Sequence, residues 1–166
     1  MIKYWNKVKE AGRQYSSFHW PSVELVLSFI STYSVLSDIL TKNMAEFGLS
    51  RAAFNVLMIL SRKENKKCKH CEIGRLMFVS RANITGLVDG LVDQGLAERR
   101  RDPEDRRIWL VAITPKGETL LKKLLPVHYE QVTKICESIP DEKKQEISRA
   151  LLEWRAVLAE LDDKKI

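Results

Sequence analysis

Val79–Gly117 reads VSRANITGLVDGLVDQGLAERRRDPEDRRIWLVAITPKG, and this stretch decides the fold. Within Ser80–Gln94 the apolar residues Ile84, Leu87, Val88 and Leu91 keep the i, i+3, i+4, i+7 spacing of one buried helical stripe. Ser80 suits the N-cap, and Gly95 stands where a left-handed C-cap residue belongs. The opposite face carries Arg81, Asn83 and Thr85, side chains that hydrogen-bond base edges and phosphates, and Ser80 ahead of them is a further candidate DNA contact. Past Gly95 the pattern changes to strands. Leu96–Arg101 and Ile108–Ile113 flank Asp102-Pro103-Glu104-Asp105, a turn with arginines on either side. A helix with a polar outer face followed by an arginine-edged hairpin predicts a winged helix-turn-helix. The partner this implies is double-stranded DNA.

The flanking sequence fits the same plan. Glu72–Phe78 predicts a short helix with Ile73, Leu76 and Met77 inward, the first of the helix-turn-helix pair. Ser50 caps a helix over Arg51–Arg62 that offers Phe54, Leu57, Met58 and Leu60 to the core. Pro21 opens a long helix over Ser22–Phe47 whose apolar residues form more than one stripe, so two surfaces must cover it. Thr114-Pro115 starts a helix reaching Ser138, with a kink predicted at Pro126. A last helix follows Pro140, with Ile147, Leu151, Trp154, Leu158 and Leu161 on one stripe. The expected fold class is mainly α with a small β-hairpin wing. Residues 1–166 form a single domain in this reading: an aromatic and basic extension at 1–20, dimerisation helices at 21–48 and 114–162, and a DNA-binding lobe at 50–113.

The central stretch resembles the MarR (multiple antibiotic resistance regulator) family of bacterial transcription factors. The residues that carry the resemblance are Val79–Thr85, Leu87-Val88-Asp89, Gln94-Gly95-Leu96, Arg99-Arg100, Asp102–Arg107 and Ile113–Gly117. Two departures stand out: Gly90, where the family often has an arginine, and the lysine- and cysteine-rich Lys66–Cys71. The resemblance implies a homodimer whose long terminal helices interlock, with the second helix of each pair in the major groove. It also implies that Arg106 and Arg107 divide two roles, one in the minor groove and one pairing with Asp102 or Asp105. Arg99 to Arg101 are expected to meet phosphates. A small aromatic or phenolic effector is implied as well, and Trp20, Phe29, Tyr33, Phe54 and Trp109 are the residues available to line its cleft.

Charge and cysteine content narrow the classes further. The net charge of +6 favours a polyanionic partner, yet residues 80–107 hold six basic and six acidic groups. DNA binding must therefore depend on where individual arginines point. No uninterrupted apolar run reaches the roughly 18 residues of a membrane span, and three cysteines fit a reducing cytoplasm better than a disulfide framework. Cys68 and Cys71 are redox candidates, because Lys66, Lys67 and Lys69 are expected to lower a neighbouring thiol pKa. With His70 they supply three ligands where structural zinc takes four, so no metal and no cofactor are expected. No phosphate loop, nucleophile elbow or paired-histidine motif points to an enzyme. The sequence thus predicts a regulator, a repressor by preference, released from a pseudo-palindromic operator by a small molecule or an oxidative signal. The alternative is a winged-helix interaction module that no longer reads DNA.

Overall fold

The computed structural model describes residues 2–77, 81–103, 105 and 107–163. In order, the elements are α1 (Ile2–Gly12), α2 (Trp20–Glu46), α3 (Arg51–Arg62), a 3-10 turn (Glu64–Lys66), β1 (Lys67–Lys69) and α4 (His70–Met77). Then follow α5 (Arg81–Asp93), β2 (Ala97–Arg101), β3 (Trp109–Ile113), α6 (Pro115–Ile135) and α7 (Asp141–Asp163). The chain divides into two compact units, Met1–Leu124 and Leu125–Ile166.

In the first unit the predicted stripes make the core. Phe54, Val56, Leu57 and Leu60 of α3 are buried together with Ile73 of α4 and Ile84, Val88 and Leu91 of α5. Leu96, Ala97 and Leu110–Ile113 close it from the sheet, and Leu121 and Leu124 from α6. Ser50 caps α3 as expected, its hydroxyl accepting the Ala53 N–H at 3.1 Å. The sheet has three antiparallel strands in the order β1-β3-β2, not two. Two of the three residues of β1 are lysines and only Cys68 is buried, so no apolar alternation marks it as a strand. Pairing with β3 (Lys67↔Ala112, Lys69↔Leu110) is what makes it a strand. The chain enters it through Asn65 and Lys66, both at positive φ.

Residues 2–19 form α1 and a turn that leads into α2. Phe18 packs on Gly12, where a Cβ would come within 2.2 Å of the ring, and Lys9 Nζ lies 5.2 Å from the centroid of the Trp20 ring. The α2 helix buries only Met44 and leaves Leu25, Val26, Phe29, Ile30, Tyr33, Leu36 and Ile39 exposed. By length and composition α2 is apolar enough to cross a bilayer. It passes that test without an uninterrupted apolar run, because its serines and threonines break up the apolar residues while adding no charge. In the second unit α7 leaves Ile147, Leu151, Leu158 and Leu161 between 39% and 46% exposed. The α6 helix runs through Pro126 without ending there.

Candidate nucleic-acid interface

Because Ile84, Val88 and Leu91 are fully buried, the other side of α5 must face outward. Asn83 and Thr85 are accordingly exposed, and Arg81 opens the helix. Ser80 and Arg106, named from the sequence as DNA contacts, lie outside the described residues. Two glycines interrupt the outer surface, and a Cβ at Gly86 or Gly90 would meet nothing within 4 Å. The arginine that the family resemblance places at position 90 is therefore missing, though there is room for a side chain.

The three consecutive arginines of β2 have three different partners. Arg99 forms an ion pair with Asp89 of α5 at 2.5 Å. Its guanidinium thereby ties the wing to the preceding helix. Arg100 is held by Glu98, two residues back on the same face of the strand. Arg101 lies over the indole of Trp109, its guanidinium carbon 3.8 Å from the ring centroid. At the tip, Asp102 and Asp105 shape the turn. Asp105 Oδ1 accepts the Arg107 backbone N–H at 2.9 Å, and the Asp102 N–H donates to the Ile108 carbonyl at 3.0 Å. Arg107 itself is exposed. Asp105 thus meets Arg107 through the backbone N–H of that residue.

The C-terminal end of α5 is joined to the start of α6. Helix ends leave carbonyls without intrahelical donors. Here the Gly95 carbonyl accepts from Thr114 Oγ1 at 2.8 Å and the Gln94 carbonyl from Lys116 Nζ at 2.7 Å. Gly95 takes the left-handed conformation at φ +68°. Thr114 also caps α6, its hydroxyl accepting the Gly117 N–H at 3.1 Å. Gly117 permits this closeness, since a Cβ there would lie 2.2 Å from the Leu96 carbonyl oxygen.

The cysteine segment behaves differently from its expectation. Cys68 is buried, and burial together with the Glu72 carboxylate pushes its thiol up to about 12. Lys63, paired with Glu72 and holding that carboxyl below its usual range, is the lysine that acts on the thiol, and its pull is outweighed by burial and the carboxylate. Thiolate is the reactive form, so Cys68 as a low-pKa redox centre is corrected. Cys71 is exposed.

The five aromatic candidates do not gather into one cleft. Phe29 and Tyr33 stack with centroids 6.3 Å apart on the exposed side of α2. Phe54 is buried in the core. Trp20 sits with Lys9 and Phe18, and Trp109 belongs to the wing. The sequence reading missed Arg51, whose Nη2 donates to the Tyr33 hydroxyl at 2.6 Å and whose charge holds that phenol below its usual pKa. A cation at the first turn of a helix gives no periodic signal, and only folding brings it to Tyr33. A cleft of about 690 Å³ lies elsewhere in the first unit, lined by Phe47, Gln94, Leu96, Lys116, Thr119 and Lys123 among others.

Comparison with known proteins gives this geometry its context. A family model described as MarR family matches residues 47–108, from the end of α2 to the wing. The HTH-type transcriptional repressor YetL of Bacillus subtilis is 30% identical over 137 residues, covering 82% of each chain. The fold is similar to that of Sco3205, a MarR family transcriptional regulator from Streptomyces coelicolor solved in complex with DNA. That match has a TM-score of 0.80 at 17% identity and covers 85% of this chain and 93% of the other. It is also similar to BpsR of Bordetella bronchiseptica, whose DNA binding is regulated by 6-hydroxynicotinic acid. Here the TM-score is 0.70 at 20% identity, over 80% of this chain and 98% of that one. With a buried helix-turn-helix core, an arginine-edged wing and a repressor as relative over four-fifths of its length, the chain belongs to the MarR family of winged-helix, DNA-binding transcriptional regulators.

Proposed function

We propose that the protein is a cytoplasmic homodimeric repressor that leaves a pseudo-palindromic operator when a small aromatic acid binds. The observation that carries the dimer is the stripe Ile147, Leu151, Leu158 and Leu161, about two-fifths exposed at helical spacing. A soluble chain rarely leaves such a row to water, and α2 presents a second one. A second copy is the occupant that also explains DNA reading, because one helix contacts only a few base pairs. Arg81, Asn83 and Thr85, with Ser80 before them, enter the major groove; Arg106 or Arg107 reaches the adjacent minor groove.

For the effector, Arg51 beside the Phe29–Tyr33 stack offers a cation next to aromatic faces, which suits a carboxylate on a ring. The regulation of BpsR by 6-hydroxynicotinic acid supports that chemistry by analogy. An effector that fits one dimer geometry better lowers DNA affinity by the coupling free energy.

The test is selection of bound sequences from a random duplex pool at moderate salt. Enrichment of half-sites about 10 base pairs apart is expected. The winning duplex then serves to screen aromatic acids for release, with Arg51→Gln as the control that should blunt the response. Salt-sensitive retention without enrichment would favour the interaction-module reading, for which the charge balance of residues 80–107 and Gly90 leave room.

A further inference from the structure

The cleft of about 690 Å³ opens beside the joint of α5 and α6, and its volume is that of a small-molecule site. On the α6 side it is lined by Lys116, Thr119, Leu120 and Lys123. That i, i+3, i+4, i+7 spacing puts all four on one side of the helix. The other side of α6 carries Gly117, Leu121 and Leu124, which are buried in the core. Across the cleft stand Phe47 at the end of α2, Asp93 and Gln94 at the end of α5, and Leu96. An apolar wall of Phe47, Leu96 and Leu120 therefore runs beside two lysines. The charges are not spent on one another. Among the described residues the exposed Lys123 side chain has no hydrogen bond or ion pair, and none joins Asp93 to either lysine. Lys116 places one of its three N–H donors on the Gln94 carbonyl, at 2.7 Å.

We propose that this cleft binds a small monocarboxylic acid with an apolar body, its carboxylate held by Lys116 and Lys123 and its body against Phe47, Leu96 and Leu120. Seven residues of helix, about 10 Å, separate the two lysines, a gap that two flexible four-carbon stems close from either end. Asp93 sets the charge of the occupant, because it repels a second negative group on the α5 side. The site is distinct from the one proposed for the effector: neither Arg51 nor the Phe29–Tyr33 stack lines it. It also stands whether or not the chain reads an operator. Its effect nonetheless reaches α5. A carboxylate on Lys116 competes with the Gln94 carbonyl for that ammonium group, so occupancy loosens the joint between the two helices.

Octanoate is the probe. Calorimetry follows its binding to the parent protein, Lys123→Gln, Lys123→Arg and Arg51→Gln, with urea unfolding of each. Mass spectrometry then maps lysine acetylation with and without octanoate. The acid should slow acetylation of Lys116 and Lys123 and leave the lysines of α1 and α7 unaffected. Lys123→Gln should weaken binding about five- to tenfold, the effect of one charge-assisted hydrogen bond, and Lys123→Arg should retain most of it. Neutral 1-octanol should bind more weakly, and inorganic phosphate should not displace the acid. Unfolding midpoints should stay near the parent, since Lys123 is exposed. The inference is overturned if octanoate does not bind, if protection falls on other lysines, if Lys123→Gln binds as the parent does or loses folded protein in step with binding, or if 1-octanol binds equally well. Loss of binding in Arg51→Gln but not in Lys123→Gln overturns it too, and moves the acid to the Phe29–Tyr33 stack. The expected octanoate results, in a protein whose release from DNA is indifferent to Arg51→Gln, overturn the effector assignment and leave this site standing.

Discussion

Three glycines show how opposite the demands on one residue type are. At Gly117 a Cβ would lie 2.2 Å from the Leu96 carbonyl oxygen and 2.8 Å from Ile113 Cγ1, so backbone must move to admit it. Gly117→Ala is expected to destabilise by roughly 1–3 kcal/mol, seen as a lower urea midpoint. Gly86 and Gly90 stand in open space within α5 and carry only the entropic penalty of glycine in a helix. Gly90→Ala should therefore raise stability by about 0.5–1 kcal/mol, or about 2–4 °C of melting temperature at this size per full kcal/mol. A lower melting temperature would mean that the helix needs the gap. Cys68 gives a pH prediction. Its thiol, raised from 9.0 to about 12, stabilises the fold fully below pH 9 and loses that contribution as pH rises towards 12. At pH 8 iodoacetamide should label Cys71 well before Cys68, read by mass spectrometry. Equal labelling would contradict the burial of Cys68.

Among elements, α5 and β2 act as one body through Asp89 and Arg99. The side chains of this pair are 47% and 32% exposed, so its direct worth to stability is small, about 0.2–1 kcal/mol. Its effect on binding should be larger, because it fixes the wing relative to the helix. In a double-mutant cycle, Asp89→Asn and Arg99→Gln should each weaken operator binding, and the double variant should lose less than the sum. Strict additivity would show the pair to be incidental. The cycle also marks where sequence reading stops. The helices from α2 onward and the two wing strands were legible because hydrophobic period is a local signal, and Ile84, Val88 and Leu91 are buried as their spacing required; α1 lay in what read only as an aromatic and basic extension. Ten positions separate Asp89 from Arg99, and no period connects them. Strand β1 escaped for a related reason: three residues, two of them lysine, acquire their state from β3. The aromatic candidates misled because composition counts rings without saying which neighbour each one finds. Trp20 and Trp109 found cations from their own corners of the fold.

At the scale of the whole molecule, the exposed stripe of α7 has a direct test. Leu151→Glu puts a charge in the middle of the surface assigned to the second copy. Light scattering coupled to size exclusion should report twice the chain mass of 19.2 kDa for the parent and a shift towards one chain for the variant. Operator affinity should fall with it, since the two half-sites lose their link. A variant that stays dimeric and binds normally would move the interface elsewhere.

The bonds between the end of α5 and the start of α6 reach further. Thr114 and Lys116 donate to the carbonyls of Gly95 and Gln94, groups that belong to the main chain. Every amino acid has a carbonyl, so these contacts set no condition on which side chains α5 displays. The outward residues of α5 can therefore drift without loosening the connection to α6, whereas on the α6 side it depends on the Thr114 and Lys116 side chains. On the proposed function this separates the address from the answer: gene duplicates would acquire new operators in a few substitutions while keeping the same response.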